Sequence, residues 1–258
     1  MKKIRNENEE QKNICTKATI FSFLRRVYLI FLYFCKKIET NHHHMTLEIK
    51  NGSMRTAQGP LFGGLNFRAS SGEIVCIQGA HSSGKTMLLR AIMGFEPLSE
   101  GFISIDGELL NVQSAETFRR LMAYVPQQAS LPFLSMNHML TELYALKANR
   151  SLGTDAPNPQ RQSTLMQLLG LPDALAEKPL SSLTPAQNYR ITLAVAAMLN
   201  KQILLIDEPA SVLDSAAAQM VDNFIHQLAS VGTAVVAVSH DQLFAQSCNR
   251  TVVLTPSS

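Results

Sequence analysis

Gly79-Ala80-His81-Ser82-Ser83-Gly84-Lys85-Thr86 (GAHSSGKT) lies between the apolar stretch GEIVCIQG and KTMLLRAIMGF, whose apolar residues fall at helical spacing. The string fits G-x-x-x-x-G-K-[ST] in the strand-then-helix setting that the motif requires. Glycines let the backbone wrap closely around phosphates, and successive N–H groups at a helix N-terminus supply positive potential. Lys85 adds a charge suited to β- and γ-phosphates, and the Thr86 hydroxyl is a ligand type for Mg²⁺. Average residue usage produces such a string by chance in roughly one chain in a hundred of this length.

Downstream, Ile203-Leu204-Leu205-Ile206-Asp207-Glu208 is an apolar strand ending in two acids. Such a strand delivers both acids to the carboxyl edge of a parallel sheet, where ligands bind. Asp207 is placed for the Mg²⁺ shell, and Glu208 for orienting or deprotonating an attacking water. Three further features stand in a fixed order around these acids. Gln127 follows LMAYVP, Ser211-Val212-Leu213-Asp214 follows Glu208, and His240 follows AVVAVS.

Around these landmarks the pattern from Met45 alternates short apolar strands with helices. MTLEIKNGSM and LFGGLNFRAS read as strands, and GFISIDGELL as a further strand and turn. Leu134 to Leu183 carries apolar residues mostly at helical spacing, broken by the polar loop Gly153 to Pro159, and reads as a helical insertion. A helix from about Pro185, the strand ILLID, a helix from Ser215 to Val231, and the strands TAVVAVS and TVVLT complete the chain. The pattern predicts an α/β fold with a largely parallel sheet covered on both faces.

Residues 1–44 stand apart. They hold nine Lys/Arg and four Asp/Glu, a balance of +5, whereas residues 45–258 hold fourteen and sixteen, a balance of −2. The body is therefore not basic, which argues against a protein that coats nucleic acid. Met1 to Lys17 is polar and charged. Ile20 to Cys35 is apolar and aromatic, but Arg25-Arg26 interrupts it, and Val27 to Cys35 is too short to span a bilayer as a helix. Three readings stand: an interfacial amphipathic segment, a signal-like segment without a cleavage site, or a start codon placed upstream of a true start at Met45. His42-His43-His44 is a weak metal signal. Cys15, Cys35, Cys76 and Cys248 are scattered without metal or redox spacing, so a reducing compartment is expected.

From about Met45 to Leu254 the chain resembles the nucleotide-binding subunit of ATP-binding cassette (ABC) transporters. The resemblance implies a P-loop NTPase fold with an N-terminal antiparallel β-subdomain and a helical subdomain inserted at about 134–184, after an extension over 1–44. By position, Gly79 to Thr86 looks like Walker A, with Gly79, Ala80, His81, Ser82, Ser83, Gly84, Lys85 and Thr86 holding ATP. Gln127 looks like the Q-loop glutamine, which joins Mg²⁺ and the transmembrane partner. Asp207 and Glu208 resemble the end of Walker B, so Thr86, Gln127 and Asp207 are the implied metal set. Ser211 to Asp214 resembles the D-loop. His240 resembles the switch histidine at the γ-phosphate, which makes Glu208 and His240 the implied catalytic residues.

The family works as a head-to-tail dimer in which the signature loop of one subunit, usually LSGGQ, closes on ATP held by the other. SLTPAQNYR falls where that loop belongs. Leu183, Gln187 and Arg190 agree with LSGGQ-x-x-R, and Thr184 keeps a hydroxyl, so Thr184 and Gln187 are expected to contact ATP. Pro185-Ala186 replaces two glycines, removing one N–H and adding a Cβ where phosphate comes close. A weakened contact across the dimer is the expectation. The family's stacking aromatic for adenine is missing from Ser53 to Ala57, where either Arg55 stacks instead or base selectivity is loose.

The resemblance implies an ATPase subunit peripheral on the cytoplasmic face of the cell membrane, using ATP and Mg²⁺. Its expected partners are a separate transmembrane permease and a second ATPase subunit, with no nucleic acid. Only eighteen residues follow His240, so a C-terminal regulatory domain is not expected. Two alternatives are a non-transport ABC ATPase and a weakly hydrolysing regulatory subunit, the latter disfavoured by intact Glu208 and His240. Of non-transport types, a cell-division complex stays open, whereas a DNA-repair or translation ATPase is disfavoured by the lack of a coiled coil or second cassette and by the near-neutral body.

Overall fold

The computed structural model describes residues 45–57, 59–128, 133–152 and 157–255, side chains of 150–152 excepted. The N-terminal extension, with His42-His43-His44, lies outside the described residues, as does part of the polar loop after Gly153. In chain order the strands and helices are β1 (Thr46–Thr56), β2 (Gly59–Ser70), β3 (Ile74–Gln78), α1 (Lys85–Ile92), β4 (Glu100–Ile105), β5 (Glu108–Leu109), α2 (Ala115–Leu121), β6 (Met122–Val125), α3 (Met136–Ala145) and α4 (Pro159–Leu168). They continue with α5 (Pro185–Met198), β7 (Ile203–Asp207), α6 (Ser215–Ser230), β8 (Ala234–Ser239), α7 (Gln242–Ser247) and β9 (Arg250–Val253). The short helices α2 and α7 are additions to the sequence reading. Each is under eight residues, so it offers little periodicity to detect.

Two sheets organise these elements. One is antiparallel, in the order β2-β1-β4-β5, and the other is a five-stranded sheet in the order β6-β7-β8-β3-β9 whose pairings are all parallel. A parallel sheet needs cover on both faces, and its strands accordingly read as apolar runs. Every residue of β7 and β8 is buried. Their side chains sort by the two-residue period into separate cores. Ile203, Leu205, Val236 and Val238 join one core with the antiparallel sheet and α1. Leu204, Ile206, Val235 and Ala237 join the other with α3, α4, α5 and α6. The helical region over 134–184 therefore packs on one face and the β-subdomain on the other, both around one parallel sheet.

Register brings the functional ends together. Val125 of β6 lies opposite Ile206 of β7, and Asp207 opposite Val238 of β8. Gln78 of β3 lies opposite Ser239. The segments holding Gly79, Gln127, Glu208 and His240 thus all leave the sheet at its carboxyl edge. Among the described residues, no helix is long and apolar enough to cross a membrane.

Candidate functional site

The loop from Gly79 needs its glycines for two distinct reasons. A Cβ on Gly79 would run into the Ser83 hydroxyl and sit 3.2 Å from Leu254 Cβ. Gly84 has φ 92°, the left-handed region, and a Cβ there would meet Leu61 at 3.1 Å. Gly84 is also the N-cap of α1, and its C=O accepts from Leu88 N–H at 2.8 Å, so the loop turns directly into the helix.

Lys85 begins that helix and is almost fully buried. Its ammonium donates to Gly79 O and Ala80 O, both at 2.9 Å, and pairs with Glu208 Oε1 at 3.3 Å. An ammonium has three donors, and all three are engaged. Thr86 Oγ1 donates to Asp207 Oδ2 at 2.8 Å. Ser83 Oγ and Asp207 Oδ1 are buried without a hydrogen-bond partner. Burial raises the Asp207 pKa, against the hydroxyl donation from Thr86. An orphan carboxylate oxygen beside a threonine hydroxyl is an all-oxygen donor set, the kind that a hard divalent cation takes.

Glu208 is 6% exposed and has φ 50°, unusual for a residue with a Cβ. Its N–H donates to Val238 O at 2.9 Å, which carries the β7–β8 pairing one residue past the strand and fixes the turn. The side chain comes back into the site. Oε2 meets His240 Nδ1 at 2.7 Å and accepts from His240 N–H at 3.2 Å and from Ser239 Oγ at 3.4 Å. Backbone strain of this kind persists where surrounding bonds over-determine it, often at functional sites. One carboxylate therefore links Lys85 to His240.

The structure brings Lys85, Thr86, Asp207, Glu208 and His240 into one connected set. Gln127 is half-buried just beyond β6 and makes no hydrogen bond among the described residues. Ala80, His81 and Ser82 are exposed in the loop, and Arg55 is exposed in β1. Asp214 serves as the N-cap of α6, accepting from Ala217 N–H at 2.8 Å.

Thr184 and Gln187 are joined to each other rather than to this set. Thr184 is the N-cap of α5. Its hydroxyl accepts from Gln187 N–H at 3.2 Å, and Gln187 Oε1 accepts from Thr184 N–H at 3.0 Å. This is a reciprocal capping box with Pro185 at the first helical position, where a missing N–H costs the helix nothing. Only the Ala186 N–H of the first turn has no partner among the described residues. Arg190 Nη1 donates to Leu169 O at 2.9 Å and closes the end of α4.

Two tyrosines escaped the sequence reading. Tyr124 OH reaches Asp207 Oδ2 at 3.3 Å. Tyr189, on α5, is 1% exposed, and its hydroxyl is buried without a partner. Burial first, then the charges of Asp207 and Glu208, push the Tyr189 pKa well up. Tyr124 reads as one more strand residue and Tyr189 as one more core position, and neither has a motif to mark it.

The family model described as ABC transporter matches residues 62–211. The chain is 37% identical over 183 residues to the Fe(3+) ions import ATP-binding protein FbpC of Pseudomonas fluorescens, covering 69% of this chain and 49% of that protein. It is 30% identical over 189 residues to the glutamate transport ATP-binding protein GluA of Corynebacterium efficiens, covering 70% and 75%. The chain spans about half or less of the length of the first curated relatives it matches. Among solved structures, a dimeric post-hydrolysis state of the ATP-binding cassette MJ0796 bound to ADP and Pi superposes with TM-score 0.69 at 24% identity. It covers 81% of this chain and 94% of that one. The fold is that of an ATP-binding cassette.

Proposed function

Since the chain belongs to the ABC transporter family, we propose that it binds and hydrolyses ATP with Mg²⁺ and so drives a separate transmembrane permease from the cytoplasmic face of the membrane. The observation that carries this reading is the linkage of Lys85, Glu208 and His240 through one buried carboxylate, beside the Thr86–Asp207 bond.

The residues fit the ligands. Lys85 and the N–H groups around Gly84 suit the phosphates, and Ser83 Oγ and Asp207 Oδ1 are buried polar atoms in want of a partner. Thr86, Gln127 and Asp207 would hold Mg²⁺, which supplies charge neutralisation at the phosphates when bound. Glu208 would accept a proton from the attacking water at Oε1 or Oε2. His240, hydrogen-bonded at Nδ1, holds that carboxylate in place and would present the rest of its exposed ring to the γ-phosphate. Asp207 stays with Thr86, so the two acids divide metal binding from base catalysis by facing different partners.

A second subunit would supply its Thr184–Gln187 loop to this site, and receive the same loop in return. The relatives FbpC and GluA are import and transport ATP-binding proteins by name, which supports transport over other ABC roles. The capping box and Pro185 favour a slow variant of the same reading, because the loop offers a phosphate few free N–H groups.

Steady-state ATPase assays of the wild type and Glu208→Gln, with the permease present, test the proposal. The variant should lose hydrolysis by roughly 10²- to 10⁴-fold, the usual range for a positioned base, while still binding ATP. Equal rates in the two proteins would remove Glu208 from the chemistry.

A further inference from the structure

Asp207 is held by two hydroxyls that differ in what carries them. Both reach the same oxygen, Oδ2, Thr86 at 2.8 Å and Tyr124 at 3.3 Å, and Oδ1 is left buried and without a partner. Thr86 is exposed at the first turn of α1, and its own oxygen is a candidate metal ligand, so with a cation bound its hydroxyl would serve two neighbours at once. Tyr124 has one duty. Its backbone lies opposite Leu205 within the β6–β7 pairing, and its ring packs against the core shared by α1 and the β-subdomain. A phenol is protonated at neutral pH, so its O–H is available as the donor to Asp207 Oδ2.

A carboxylate with a single donor is free to exchange its two oxygens by rotation about its last torsion, a broad and roughly two-fold well. A second donor on a rigid strand removes that freedom. We propose that Tyr124 is a positioning residue for the metal site: its phenol pins Asp207 Oδ2, which keeps Oδ1 free for the divalent cation. Tyr124 also stands three residues before Gln127, so the same strand end sets both the carboxylate and the segment bearing the second expected ligand. The inference rests on the reading of Asp207 as a metal ligand.

Tyr124→Phe removes the hydroxyl and keeps the ring. Binding of Mn²⁺ to the full chain, loaded with a non-hydrolysable ATP analogue, is read by electron paramagnetic resonance. Affinity for the same analogue in EDTA and the melting temperature are measured in parallel. The expected result is Mn²⁺ binding weaker by about 3- to 10-fold, the scale of one ordinary net hydrogen bond, since the 3.3 Å contact is long. Metal-free affinity and melting temperature should hold. Mn²⁺ affinity within twofold of wild type overturns the inference, and so does a loss that metal-free affinity and melting temperature share, since packing alone gives that pattern. Asp207→Asn separates the underlying reading. If it retains Mn²⁺ affinity, Asp207 is no ligand and both ideas fall, whereas loss in Asp207→Asn with none in Tyr124→Phe removes Tyr124 alone.

Discussion

Replacing Pro185 and Ala186 together by glycine tests what the unusual α5 N-terminus does. In the wild type Thr184 and Gln187 use their N–H groups on each other, proline has none, and only Ala186 N–H is unengaged. The double change adds one donor at position 185 and removes the methyl at 186. A hydrogen bond to a charged group is worth about 1.5 to 3 kcal/mol. Because Thr184 and Pro185 are exposed, the low end applies. At about 1.4 kcal/mol per tenfold, the ATPase rate of the assembled complex should rise by about tenfold.

Stability moves the other way. Two glycines in the first helical turn cost at most about 2 kcal/mol, or roughly 4 to 8 °C of melting temperature for a domain of this size. Phosphate release should therefore be followed well below the transition. Pro185→Ala is the control, since it restores the N–H without glycine's flexibility and should keep most of the gain with a smaller thermal loss. An unchanged or lower rate in a complex that remains folded and assembled would refute the reasoning. It would mean that the capped loop already makes every contact the site requires.

Removing the buried, partnerless hydroxyl in Tyr189→Phe should stabilise the protein by about 1 kcal/mol, visible as a melting temperature higher by roughly 2 to 4 °C. A comparable fall in calorimetry would show that the hydroxyl is satisfied after all. Asp207→Asn should melt higher than wild type at pH 7. Burial raises the folded pKa of Asp207, so the folded state binds more protons than the unfolded one between the ordinary carboxylate value and that raised value. Wild-type stability then falls as pH rises through this window, and the variant's advantage should shrink as pH is lowered through it. An advantage that stays constant from pH 7 into the acid range would count against the burial cost.

Much of the fold was readable because its signals are local. The apolar runs of β3, β7 and β8, the glycine-rich turn into α1 and the spacing in α6 each declare themselves within a dozen residues. The parallel core sheet and the antiparallel β-subdomain followed from that pattern and from the resemblance it supported, and the cassette fold of the solved structures agrees. Contacts between distant residues were not readable from spacing, and only the resemblance grouped Thr86 with Asp207. Tyr124 and Asp207 are 83 positions apart and Lys85 and Glu208 further still, so no spacing rule links them. The left-handed backbone of Glu208 was also hidden, because a glutamate carries none of the signal that a glycine would. The signature departure was visible as letters, but its physical form was not. Thr-Pro-Ala-Gln reads as lost glycines, whereas the fold turns it into a self-satisfied helix cap.

The three bonds on the Lys85 ammonium set the terms on which the site exchanges its ligand. Any phosphate that Lys85 serves has to displace a carbonyl or the Glu208 carboxylate, which are tethered within reach and never diluted. Free ligand can outcompete this internal rival only by mass action, so the rival raises the apparent dissociation constant by a fixed factor. A lysine held this firmly within its own fold gives a phosphate only the difference between the bonds formed and the bonds given up.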